Sequence, residues 1–135
     1  MTKMIFVNLP VTDLARSEAF YNALGFTKNP QFSDEATACM VISDAIHVML
    51  ITQDRWRTFT KRPIPPATSS EVMLALSCES RDAVDTMNAA AAAHGGIADI
   101  NPLQDLGFLY NRNLADPDGH VWEATFVNMD DMPTE

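Results

Sequence analysis

The stretch VNLPVTDLARSEAFYNALGF, residues 7–26, decides how this chain folds. At its start Ile5, Val7 and Leu9 alternate with Phe6 and Asn8, so a strand is expected over Met4–Pro10. Thr12 or Asp13 then offers an N-cap oxygen, and Leu14, Ser17, Phe20, Tyr21 and Leu24 recur at helical spacing up to the stop at Gly25. Three short strand-like runs follow at Phe26–Phe32, Ala36–Ser43 and Ile46–Thr52. Turn chemistry at Asn29-Pro30, Ser33-Asp34 and Ser43-Asp44 separates them.

Outward from that stretch, residues 53–70 change character. Pro63, Pro65 and Pro66 remove donors and fix φ, so this is a connecting segment with one helical turn expected around Arg55–Phe59. The first pattern then restarts. Val72–Cys78 reads as a strand, and Ser80 can cap a helix Arg81–His94 that ends at Gly95-Gly96. Short runs follow at Ile97–Ile100, Phe108–Leu114 and His120–Val127, the last two joined by the hairpin signal Asp116-Pro117-Asp118-Gly119. The order is βαβββ, linker, βαβββ: an internal repeat whose halves are each too small to bury a curved sheet alone.

The 135 residues suffice for one ordinary domain, and 47% hydrophobic with 20% charged residues is the balance of a globular protein with a real core. Eighteen Asp and Glu against nine Lys and Arg leave a formal net charge of −9. That field repels phosphate backbones, so no nucleic acid partner is expected, whereas a cationic or neutral small molecule meets no barrier. Cys39 and Cys78 sit in apolar runs and are expected to be reduced core thiols. No basic leader with a long apolar stretch and no window of roughly 18 apolar residues is visible, so no membrane partner and a cytoplasmic location are expected.

The 7–26 stretch, the closing segment LADPDGHVWE of residues 114–123, and the repeat together resemble the vicinal oxygen chelate superfamily: glyoxalase I, extradiol dioxygenases, and fosfomycin- and bleomycin-resistance proteins. The resemblance implies an α+β fold of two βαβββ modules forming a paired half-barrel. It would be a single domain over 1–135, with module one at about 1–53, a linker at about 54–70, module two at about 71–128 and a tail at 129–135. The fold hosts lyases, oxygenases and plain binders, so it does not name the function.

The resemblance also places the family's four metal ligands at strand positions on the concave faces. Here they are Phe6, Met49 (within a residue), Met73 and Glu123; only Glu123 matches the pattern. Phe has no donor atom, and a thioether is a poor ligand for a hard divalent ion. No metal and no cofactor are therefore expected, although a weak pair of His47 and Glu123 is conceivable. The expected pocket lining is Phe6, Met49 and Met73, with Asn8, His47, Tyr110, Arg112 and Glu123 as its polar groups and Trp56 on the basic-aromatic linker above it. Glu123 is the candidate catalytic carboxylate, with an inward Arg112 or a ligand as its partner. No phosphate loop, nucleophile elbow or triad spacing occurs. Three functions follow: a metal-independent binder of a small organic molecule, a glyoxalase-like metal-dependent lyase or isomerase, and a metal-free enzyme using Glu123 as base. A homodimer is expected, because single chains leave sheet edges uncovered and family members close the cup by two-fold pairing.

Overall fold

Ile5–Val11 forms β1 and Leu14–Ala23 forms α1 in the computed structural model, which describes residues 2–131. Of the two candidate caps, Asp13 serves: its Oδ1 accepts from the Arg16 N–H at 3.0 Å. The helix buries Ser17, Phe20 and Tyr21. Tyr21 stacks on Phe26 with centroids 5.5 Å apart and meets Phe20 edge-on at 5.0 Å. Gly25, at φ +99°, lets the chain reverse so that the Phe26 N–H reaches the Tyr21 carbonyl.

Next come β2 (Thr27–Asn29), β3 (Thr37–Val41) and β4 (Ile46–Thr52). β2 stops short of the expected Phe32 because Pro30 lacks a donor and Asn29 Oδ1 caps a 3-10 turn over Pro30–Phe32 through the Gln31 N–H. The sheet order is β1-β4-β3-β2, with β1 parallel to β4. One sheet face buries Leu9, Val11, Ala38, Met40, Val48 and Leu50 as the core of this half. The expected single turn in the linker is a full helix, α2 (Gln53–Phe59), started by Thr52 Oγ1 accepting from the Arg55 N–H at 3.3 Å.

The second half repeats the order: β5 (Met73–Ser77), α3 (Arg81–Ala93), β6 (Gln104–Asp105), β7 (Leu109–Ala115) and β8 (Val121–Val127). Ser80 Oγ caps α3 as expected, accepting from the Ala83 N–H at 3.0 Å. The sheet order is β5-β8-β7-β6, with β5 parallel to β8. The strand expected at Ile97–Ile100 is reduced to a bridge from Ile97 to Ala115 and one bond from the Ile100 N–H to the Asn113 carbonyl. Asp99 breaks it at φ +50°, where the buried Asn88 amide oxygen takes the Asp99 N–H. The edge strand forms instead at Gln104–Asp105, where Arg81 grips Asp105 with two bonds of 2.8 and 2.9 Å.

The chain thus divides into two compact units, one ending at Pro66 and the other beginning at Ala67, each holding a four-stranded mixed sheet. The α+β class and the repeated βαβββ order agree with the sequence reading. The last four residues of the expected tail lie outside the described residues. Among the described residues no helix is long and apolar enough to cross a membrane. Cys39 is buried and Cys78 half-buried; both are free, and burial pushes both thiols above their ordinary range.

Candidate functional site

In the second unit, strand alternation sets Val121, Glu123, Thr125 and Val127 on one face of β8. The register adds Met73, Ala75 and Ser77 from β5 and Asn111 and Asn113 from β7 to that face. Glu123 is half-buried, and the Asn111 amide donates to its Oε2 at 3.3 Å. The same amide nitrogen donates to Thr125 Oγ1 at 2.9 Å. Asn113 Nδ2 donates to Asn111 Oδ1, and Asn101 Nδ2 donates to Asn113 Oδ1 at 2.8 Å while lying 3.7 Å from Met73 Sδ. The amides thus run in series toward the carboxylate, each donor polarised by the next. Asn101, Asn111 and Asn113 are not among the residues expected from sequence. Parity along β7 separates Asn111 and Asn113 from Arg112, but it takes the register to put Asn113 directly opposite Glu123.

That parity corrects two expectations. Tyr110 and Arg112 stand on the other face of β7, and the expected meeting of Arg112 with Glu123 does not occur. Arg112 instead spans two carboxylates, reaching Asp85 at 2.9 Å through Nη1 and Asp99 at 3.0 and 2.6 Å through Nε and Nη2. The Tyr110 hydroxyl donates to Asp85 at 2.6 Å, and the Arg81 guanidinium sits 4.8 Å above the Tyr110 ring. The Tyr110 hydrogen bond, then Arg112, holds the Asp85 carboxyl below the usual range, and Arg112 does the same for Asp99. The Asp85 carboxylate in turn pushes the Tyr110 phenol up. This cluster ties α3 to β7; it is a fastening of the unit, away from Glu123.

In the first unit the parallel register places Phe6 beside His47 and Asn8 beside Met49, so these four expected residues do share a face. The Phe6 ring stacks on the imidazole, centroids 4.7 Å apart and planes 17° apart. His47 is 8% exposed, and its Nδ1 is buried with no hydrogen-bond partner among the described residues. Trp56 is half-buried on α2, which packs against β4 and β1.

The donors at the four family ligand positions do not suit a hard divalent cation. Phe6 supplies no lone pair, Met49 and Met73 supply soft thioethers, and one Glu123 oxygen already takes an amide. Among the described residues no group of three His, Cys, Asp or Glu side chains could hold a metal ion.

Charge is distributed unevenly between the units. Residues 1–66 carry six carboxylates against seven Lys and Arg, whereas residues 67–135 carry twelve carboxylates against only Arg81 and Arg112. Both of those arginines are engaged by aspartates. Beside the strand of Glu123, an open cavity of about 300 Å³ is lined by Ala75, Leu76, Ser77, Cys78, Thr125 and Val127. That is the lower end of the volume that organic ligands occupy.

Residues 3–43 match the family described as bleomycin resistance protein-like N-terminal. No match was found among curated proteins. Three solved structures share the fold over nearly the whole chain. A hypothetical protein from S. aureus is 26% identical, with a TM-score of 0.78 over 93% of this chain and 95% of its own. A glyoxalase/bleomycin resistance protein from Albidiferax ferrireducens is also 26% identical, with a TM-score of 0.69 over 90% and 95%. A glyoxalase/bleomycin resistance protein/dioxygenase family enzyme from Burkholderia phytofirmans is 17% identical, with a TM-score of 0.76 over 93% and 99%.

Proposed function

This chain belongs to the glyoxalase/bleomycin resistance/dioxygenase (vicinal oxygen chelate) superfamily, and from that premise we propose that it binds a small cationic organic molecule without a metal ion. The observation that carries the reading is Glu123. It is a half-buried carboxylate with an amide on one oxygen and no cation paired to it among the described residues, on a face it shares with Met73, Ala75 and Thr125. A carboxylate so placed, with open sides and no cation of its own among the described residues, can take a charge-assisted hydrogen bond from outside. An organic cation supplies the missing partner, apolar neighbours bury its body, and Met73 adapts to its outline. The twelve carboxylates of this unit raise the local concentration of any cation.

Thermal-shift screening of aliphatic and aromatic amines against their neutral isosteres, each with and without a chelator, tests this. Amines are expected to raise the melting temperature equally in both conditions. Glu123→Gln, nearly isosteric and uncharged, is expected to weaken the best amine by about tenfold or more, the worth of one charge-assisted bond. Equal affinities of parent and variant for every amine, or stabilisation that chelator abolishes, would overturn the reading.

The same reading includes a homodimer. β1 and β5 are outer strands of their sheets, and Ile5, Phe6, Val72 and Met73 are each more than half exposed. Apolar edges of this kind suit pairing with a second copy. Light scattering at micromolar concentration is expected to give twice the chain mass; a monomer would refute this part.

A further inference from the structure

We propose that Phe6 and His47 form a subsite on the first unit for a planar ring with a lactam edge, a ring N–H beside a carbonyl. The proposal rests on the small-molecule reading above and names the chemistry of one contact.

His47 sits on β4 between Phe6 of β1 and Val41 of β3. It is more than nine-tenths buried, and its Nδ1 has no partner among the described residues. Buried polar atoms are nearly always paired, and one left unpaired is costly to the fold. Leucine or phenylalanine would fill the same place without that cost. The imidazole is covered by Phe6, whose ring lies almost parallel to it, yet Phe6 is itself 51% exposed. So large an open surface leaves the ring room to swing aside and to stack on an incoming ring. Asn8 stands two residues along β1 on the same face, exposed and paired with Met49.

The unit therefore offers an aromatic platform, a nitrogen in want of a partner and a free-standing amide edge. A lactam edge answers all three. Its N–H is donated to Nδ1 in one imidazole tautomer, its carbonyl accepts from Nδ1–H in the other, and the half left over pairs with Asn8. The near balance of charge in residues 1–66 suits a neutral ring.

The probes are 2-pyridone and N-methyl-2-pyridone, which keeps the ring and carbonyl but loses the N–H. Each is titrated into the full-length ¹⁵N-labelled protein while the imidazole nitrogens are followed by NMR. 2-Pyridone is expected to move the His47 Nδ1 resonance and raise the melting temperature, with the N-methyl compound about tenfold weaker. His47→Phe, which removes the orphaned nitrogen and keeps a ring against Phe6, is expected to melt higher than the parent and to lose the response. An unmoved Nδ1 resonance, equal responses to both pyridones, or a His47→Phe that melts lower or fails to fold would overturn the proposal. If the pyridones leave His47 untouched while amines still depend on Glu123, this subsite falls and the binding function stands.

Discussion

Gly119→Ala is expected to destabilise the protein by about 2–5 kcal/mol, measured as the change in unfolding free energy in urea. Gly119 closes the Asp116–Gly119 turn at φ +87°, a conformation that costs a residue with a Cβ about 1–2 kcal/mol. A Cβ there would also come within 2.2 Å of the Ala67 carbonyl oxygen and 3.0 Å of its carbon. Those are backbone atoms, which yield only if a chain segment moves, and such overpacking adds about 1–3 kcal/mol. The turn is itself tightly held: Asp116 Oδ1 accepts from the Asp118 and His120 N–H groups, both at 2.9 Å. Gly25→Ala is the control, because Gly25 has a similar φ of +99° but no atom within 4 Å of the added Cβ. It is expected to cost only the conformational part, about 1–2 kcal/mol. Equal losses for the two variants would mean that the Ala67 contact does not constrain the turn.

Arg112→Met is expected to cost about 2 kcal/mol at neutral pH, with the loss shrinking in acid. The side chain is 23% exposed and makes three charge-assisted bonds to Asp85 and Asp99, which are themselves 45% and 39% exposed. Solvent screening at those carboxylates keeps the figure below that of a fully buried pair. Methionine retains most of the stem's packing, so the loss reports the bonds. Asp85 and Asp99 are held below their ordinary value of 3.8, so their contribution is complete above about pH 4 and is lost as pH falls through the lowered folded values. Parent and variant stabilities should therefore converge as the pH drops below 4. Arg81 brings Asp105 down to about 2, so the parent keeps part of its acid resistance to about pH 2 through a pair that Arg112→Met leaves intact. A difference between parent and variant that is constant from pH 7 to pH 3 would contradict this account.

Residue pattern alone determined most of the fold. Alternation in β1 and β8, the cap-to-glycine frames around α1 and α3, and the repeated order are local properties, written in side chains that choose a backbone conformation before any long-range contact forms. Alternation made the pairs Phe6 with Asn8 and His47 with Met49 legible within their strands, while the joining of the two strands came from the family resemblance and is seen in the parallel register. Local pattern failed where a distant partner decided. Ile97–Ile100 had the composition of a strand, but Asn88 and Arg112 hold Asp99 at a positive φ, and the edge strand forms at Gln104–Asp105, where Arg81 grips Asp105. Parity groups Arg112 with Tyr110 but does not say which face of β7 turns toward Glu123, and only the register shows that Asn111 and Asn113 are the residues beside it. That His47 Nδ1 has no partner among the described residues could not have been read from sequence at all. Whether a histidine finds a partner depends on which side chains arrive around it, and that is settled only when the strands have packed.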